Sequence, residues 1–252
     1  MFAIDNSVNA QYKDRYVANV SSPATKGTKY LRFNKKDKPN SIMLTNDAVL
    51  QPIFNLDDRR EIMYVAGRSN SGKTYFVNSV ASDYHKKHPN RAIFYITKVH
   101  YDGGDKSLNM KLYIMVNLES FLDKIRSGEA DIDDFKDSLV IFDDVGSVQG
   151  NDSKTMWWWI DQVLEVYRKN NTSLIMCNHL PTEYKKTRLM LAEMTKYVCF
   201  NNMKTRSDRV LLSYIEMSKE EVVNMLNIDS RWYLIDTVLG IVLTEHQAYK
   251  LK

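Results

Sequence analysis

Cysteine is scarce in this 252-residue chain: only Cys177 and Cys199 occur, both inside apolar runs and at no metal-ligand spacing. That excludes a disulfide scaffold and a cysteine-based zinc site, and it reads as two buried thiols in a reducing compartment. No stretch comes near the roughly 18 uninterrupted apolar residues of a membrane span. The opening, Met1-Phe-Ala-Ile-Asp-Asn, has no basic region followed by an apolar one, so no secretory leader is expected. Internal repeats and low-complexity linkers are also lacking. What is present is ordinary globular material, 44% hydrophobic, 26% charged and 11% aromatic, enough to bury a full core.

A net charge of +4 does not by itself announce a nucleic-acid binder. Its distribution is more informative. Lys26, Lys29, Arg32, Lys35, Lys36 and Lys38 face a single Asp37, and residues 86–111 are basic again, whereas residues 129–137 are acidic. The basic segments are candidates for phosphate contact, against the simpler reading of a solvated face.

Along the chain, residues 1–25 are polar and weakly patterned and read as an extended arm. Residues 30–33 and 41–44, separated by a Lys/Asp/Pro turn, read as a hairpin. From Ile62 the texture becomes strands alternating with helices. Strands are expected at 62–66, 92–97, 111–116, 138–143, 173–177 and 197–200. Helices are expected at 71–87, 118–125, 155–168 and 183–194. That alternation predicts an α/β fold, a parallel sheet with helices on both faces. Ser218-Lys-Glu-Glu221 is a capping box that opens a helix to about Leu226. Residues 232–235 and 241–244 form a closing hairpin. The expected organisation is an N-terminal arm and hairpin (1–58), a core (59–206) and a helix-hairpin extension of the same domain (207–252).

Gly67-Arg68-Ser69-Asn70-Ser71-Gly72-Lys73-Thr74 is a complete GxxxxGKT between an apolar strand and a helix. Its glycines let the backbone wrap phosphates, so that successive N–H groups and the helix N-terminus meet negative charge. Lys73 is expected to reach the β/γ-phosphates and the Thr74 hydroxyl to ligate magnesium. The nucleotide-binding set runs on to Tyr75. A second element is Ser138-Leu-Val-Ile-Phe-Asp143-Asp144, where two carboxylates end an apolar strand and are costly without a partner. Asp143 is the expected magnesium contact and Asp144 the general base for the attacking water. Asn34-Lys-Lys-Asp37 matches the guanine-reading NKxD of GTPases but precedes the phosphate loop, the wrong order, and reads as a basic turn.

Three further features invite roles. Trp157, Trp158 and Trp159 sweep about 200° of a helix, so one face cannot hide all three; the ring left over is free for a partner subunit or DNA. Asn178 and His179 end an apolar strand beside the phosphate site, where a γ-phosphate sensor would sit or a helix cap would. Arg168 ends the preceding helix, where the macrodipole alone would favour it.

Together, residues 60–74, 138–145 and 167–200 resemble the genome-packaging ATPases of the FtsK–HerA superfamily, in the form found in large double-stranded DNA viruses and virophages. The resemblance implies a P-loop NTPase of the ASCE, RecA-like class, with small N- and C-terminal β-hairpin additions. It implies ATP and magnesium as cofactors, and a homo-oligomeric ring, pentamer or hexamer, that threads double-stranded DNA into a preformed capsid. A capsid vertex protein would then be a partner, and the host cytoplasm at the viral assembly site, or the virion, the location. In that family an arginine matching Arg168 is a candidate finger reaching the neighbour's γ-phosphate, with Arg188 the alternative. The sensor matches His179, with Asn178 able to share the role. The acid pair is Asp143-Asp144 rather than the Asp-Glu of bacterial members. No nuclease domain is expected, since only about fifty residues follow Phe200. Two other readings carry the same loop. One is a small-molecule kinase, for which no arginine-rich lid is evident; the other is a nucleotide-gated assembly or extrusion ATPase, which usually has a transmembrane helix.

Overall fold

The N-terminal residues expected as a polar arm form strands in the computed structural model, which describes residues 2–9, 16–23, 27–34, 40–45, 47–53, 60–98, 110–183 and 185–251. The chain divides into two units, Met1–Arg59 with Thr195–Lys252, and Arg60–Met194.

In the first unit, β1 (Phe2–Asp5), β2 (Tyr16–Ser21), β3 (Lys29–Phe33), β4 (Ser41–Met43) and β5 (Val49–Pro52) follow one another. Four of them build an antiparallel sheet in the order β1-β3-β2-β5. Its buried side chains include Phe2, Tyr16, Ala18, Leu31 and Phe33. Asp5 accepts from Tyr16 Oη at 2.8 Å and from Arg32 Nε at 2.9 Å. The expected hairpin does not form. β3 is shared between β1 and β2, and β4 pairs elsewhere. Residues 35–39 of that turn, and with them most of the Asn34–Asp37 match, lie outside the described residues.

The second unit holds β6 (Ile62–Ala66), α1 (Lys73–Lys87), β7 (Ile93–Thr97), β8 (Ile114–Asn117), α2 (Leu118–Ser127), β9 (Leu139–Asp143), α3 (Gly150–Val166), β10 (Ser173–Asn178) and α4 (Arg188–Glu193). Its five strands are all parallel, in the order β6-β10-β9-β7-β8. Every residue of β6, β9 and β10 is buried, as a parallel sheet covered on both faces requires. β10 therefore separates the strand before the phosphate loop from the strand that ends in the acids. α4 is shorter than the expected 183–194. Residues 185–187 instead form a turn, and the Glu183 N–H donates to Thr187 Oγ1 at 2.9 Å.

β11 (Lys196–Phe200), α5 (Asp208–Ser213), α6 (Lys219–Leu226), β12 (Trp232–Asp236), β13 (Ile241–Thr244) and β14 (Gln247–Lys250) return to the first unit. There they give an antiparallel ladder β4-β14-β13-β12-β11. This corrects the expected division at 206. β11 pairs residue for residue with β12, and a buried Lys196–Asp236 ion pair at 3.5 Å ties their ends. The two terminal segments are also one unit rather than separate additions: Leu50 N–H donates to Glu245 O at 2.7 Å, and Leu44 N–H to His246 O at 2.8 Å. The C-terminal hairpin and the capping box at Ser218 form as expected.

The tryptophan run resolves cleanly. Trp157 and Trp159 are buried, and Trp158 is 58% exposed. The Trp159 ring meets the edges or faces of Phe121, Phe135 and Phe142, with centroids 4.9, 5.2 and 6.5 Å away. Trp159→Ala is expected to lower the unfolding free energy by about 3–5 kcal/mol in urea titrations. Trp158→Ala should stay within about 0.5 kcal/mol, as exposed substitutions do. Equal losses at the two positions would contradict this packing.

Candidate nucleotide-binding site

The phosphate loop leaves β6 at Ala66 and is stitched at once to the neighbouring strand: Gly67 N–H donates to Asn178 O at 3.1 Å. It then turns tightly, with Ser71 N–H on Arg68 O at 3.2 Å. Two residues take the left-handed conformation, Asn70 at φ 61° and Gly72 at φ 99°. Asparagine tolerates that region and glycine is at ease there, which is why the loop can fold back before the helix begins. Gly72 caps α1 without a side-chain hydrogen bond, and no acidic residue sits in the first turn. The first amides of a 15-residue helix are therefore available to an anion.

Lys73 is buried at 7% exposure and folds back on the loop. Its ammonium donates to Gly67 O at 2.7 Å and Arg68 O at 3.2 Å, and lies 3.4 Å from His179 Nδ1. The other ring nitrogen of His179 is 2.9 Å from Asp144 Oδ1. That contact is an electrostatic one rather than a well-aligned hydrogen bond, because the same oxygen lacks a partner of good geometry. One imidazole thus touches both the loop lysine and the second acid.

Asp143, at the end of β9, is 4% exposed. Burial pushes its pKa up and the charge of Asp144 adds to that; a hydrogen bond from Tyr95 and the neighbouring Lys73 and His179 side chains oppose the rise. Asp144 stands just beyond the strand at φ 57°, a sparsely populated conformation for a non-glycine residue. Cys177 is the register partner of Asp143 and is fully buried; burial, and then the Asp143 charge, drive its thiol pKa well up, so it is an inert packing group. Cys199 is likewise buried and unbridged.

Buried Ser71 Oγ beside the loop has no hydrogen-bond partner within the chain, and Asp144 Oδ1 has none of good geometry. Such atoms are uncommon in folded proteins and call for a ligand or water. Their chemistry, a hydroxyl beside a cationic loop with an acid opposite, fits a polyphosphate. Thr74 and Asp143 fit the demands of magnesium, which is held by one or two protein oxygens together with substrate phosphates. Among the described residues no three His, Cys, Asp or Glu side chains converge on a metal by themselves.

The structure gathers Gly67 to Thr74, Asp143, Asp144, Asn178 and His179 at the carboxyl ends of β6, β9 and β10. Arg68, Ser69, Asn70 and Tyr75 are exposed beside them. Arg188 opens α4 after the loop that leaves β10, and is exposed. Arg168 is not brought to this edge. It lies before the other end of β10, its side chain 76% exposed, with Nε donating to Tyr167 Oη at 2.9 Å and Nη2 3.4 Å from Glu193. Of the basic segments, Arg32 is engaged by Asp5 and Lys98 is exposed, whereas Lys26, Lys35, Lys36, Lys38 and residues 99–109 lie outside the described residues.

Three contributors escaped the sequence reading. Tyr95 is one, a hydroxyl hidden in an apolar strand. Gly146 and Glu183 are the others, drawn together by packing between the loops that leave β9 and β10. A Cβ on Gly146 would stand 2.8 Å from Asn178 Oδ1 and 3.1 Å from Glu183 Oε1.

Residues 54–242 match the poxvirus A32 protein family, three quarters of the chain and every site residue named above. The chain belongs to the poxvirus A32 protein family. This A32-family chain is also similar to the uncharacterized protein V3 of Sputnik virophage, 26% identical over 236 residues that cover 91% of this chain and 92% of that one. Among solved structures it is similar to B204, the DNA-packaging ATPase from Sulfolobus turreted icosahedral virus. The TM-score is 0.53 at 15% identity, over 78% of this chain and 100% of the other. The genome packaging NTPase B204 from Sulfolobus turreted icosahedral virus 2, in complex with AMPPCP, gives 0.51 at 15%, over 77% and 98%. The expected likeness to viral packaging enzymes thus holds for this A32-family chain at the level of family and fold.

Gly146→Ala is expected to cost about 1–3 kcal/mol of stability, since an overpacked methyl must displace Asn178 or Glu183. Chemical denaturation measures it; an unchanged midpoint would mean that those side chains yield freely.

Proposed function

We propose that this chain is an ATP-hydrolysing motor that packages a double-stranded DNA viral genome into a preformed capsid, working as a homo-oligomeric ring. The observation that carries the reading is the convergence of a cationic phosphate loop, an acid pair and a bridging histidine at the carboxyl edge of three adjacent parallel strands. The family and fold relatives support the viral setting. Among the described residues no helix is long and apolar enough to cross a membrane.

The residues divide the work as follows. The loop amides and the N-terminus of α1 receive the phosphates. Lys73 exchanges the carbonyls of Gly67 and Arg68 for β/γ-phosphate oxygens, a move that frees it from His179. Thr74 and Asp143 would hold magnesium, whose charge supplies Lewis-acid stabilisation of the transferred phosphoryl group. Asp144 orients the attacking water and accepts its proton. His179, in contact with both Asp144 and Lys73, senses whether the γ-phosphate is present, and Asn178 fixes the backbone from which it projects: its Oδ1 accepts from the His179 N–H at 2.8 Å.

Arg168 serves the neighbouring subunit in this reading. β10 spans six residues, roughly 20 Å at about 3.3 Å per residue, so an arginine before its first residue cannot attend the site beyond its last. Its ion pair with Glu193 is exposed, and exposed pairs are readily given up.

Lys73→Ala is expected to lose nucleotide binding and hydrolysis together. Asp144→Asn should bind ATP like the wild type and turn over about 10²–10⁴ times more slowly. Turnover above about a tenth of the wild-type rate would remove Asp144 as the base. Phosphate release measured with and without duplex DNA, across protein concentration, tests the motor itself. Stimulation that grows with assembly is expected, and release indifferent to both would sink it.

Mixing tests the arginine. Subunits carrying Arg168→Ala keep an intact loop, and subunits carrying Lys73→Ala keep an intact arginine, so mixed rings should regain part of the activity that neither has alone. An arginine finger contributes about 10³–10⁵ in rate, so the rescue is readable. Mixed assemblies that form and stay inactive would transfer the role to Arg188.

A further inference from the structure

We propose that Tyr95 is a positioning residue for the magnesium-side acid: its hydroxyl pins one oxygen of Asp143 and leaves the other to the metal. The inference rests on the reading of Asp143 given above.

Tyr95 is fully buried in β7, and its hydroxyl donates to Asp143 Oδ2 at 2.6 Å. That length lies within the range of charge-assisted O–H···O⁻ bonds, which are stronger than neutral ones. The torsion that swings a carboxylate is broad and roughly two-fold, so backbone geometry alone does not fix where its oxygens point. Asp143 needs an external hold, and the parallel register supplies it: Thr97 of β7 is the Cα partner of Asp143, and Tyr95 lies two residues earlier on the same face of that strand.

The tyrosine is itself held. Its ring meets Tyr113 in an edge contact at 5.1 Å, and Tyr113 Oη donates to Asn78 Oδ1 at 2.7 Å. Asn78 sits on α1, five residues beyond Lys73, so one chain of contacts joins the helix that carries the phosphate loop to the acid across the sheet. Residues that orient a metal's carboxylate typically change metal affinity 10–100-fold when lost.

The test is Tyr95→Phe, which removes a single oxygen. Free magnesium is titrated in steady-state hydrolysis, and binding of a fluorescent ATP analogue is measured in EDTA. The half-saturating magnesium concentration should rise about 10–100-fold. The rate at saturating magnesium should change less than about threefold, and metal-free nucleotide binding should not move. Manganese binding to the nucleotide-loaded protein, read by electron paramagnetic resonance, should weaken by the same factor without reference to turnover. In an Asp143→Asn background, Tyr95→Phe should add nothing. Tyr113→Phe, which only loosens the tie to α1, should shift the magnesium requirement the same way by less, and it serves if Tyr95→Phe does not fold. An unchanged magnesium requirement in the variants that fold, or an additive effect in the Asp143→Asn background, overturns the proposal. If Asp143→Asn alone leaves magnesium dependence untouched, the assignment of Asp143 falls first and the proposal with it.

Discussion

A buried ammonium at the start of α1 and a buried carboxylate at the end of an otherwise apolar strand set the terms for everything around them. Isolated charges in such a setting cost several kcal/mol each, and a pair repays that only with good geometry and further hydrogen bonds. The molecule meets the demand locally. Lys73 is held by two loop carbonyls and Asp143 by a tyrosine hydroxyl, while Asp144 is answered by an imidazole. The tyrosine and imidazole holds, which cross between strands, do not survive a slip of register, because moving a strand by one residue turns every side chain to the opposite face. The order β6-β10-β9 is therefore as much a part of the site as the loop itself.

What the sequence made legible follows from how local each signal is. The phosphate loop carries its own instructions, glycine where φ is positive and a helix directly behind it, and it was read residue by residue. The acid strand announces itself by two carboxylates after an apolar run, and the Ser218 capping box is a four-residue device. Tyr95 gave no such sign. In sequence it is one more aromatic in Phe94-Tyr95-Ile96, and only the pairing of β7 with β9 turns its hydroxyl into a hold on Asp143. The N-terminal sheet was missed for the same reason. β1, β3, β2 and β5 are short, and their partners are fixed by pairing rather than by turns between neighbours, so the polar texture of residues 1–25 hid two strands and a strong turn signal suggested a hairpin that the chain does not make. The placement of β11 with β12 likewise depends on a strand more than thirty residues away.

The loops that leave β9 and β10 are packed without room for a methyl group, Gly146 lying against Asn178 and Glu183. Tight interiors transmit displacement rather than absorb it. Asn178 has little room to move against the segment after Asp144. That segment opens α3, 17 residues long and thus about 25 Å at 1.5 Å per residue, and Arg168 lies just past its far end. In the proposed ring, the consequence is mechanical. A movement at the carboxyl edge of the sheet, where the proposed nucleotide site lies, would be carried along this helix to the amino edge of β10, where that subunit would present its arginine to the next. A sensor histidine against Asp144, ahead of α3, and a finger past the helix's far end would make each hydrolysis event a condition for its neighbour's. That ordering is what a motor needs, and a set of independent ATPases sharing a ring would lack it.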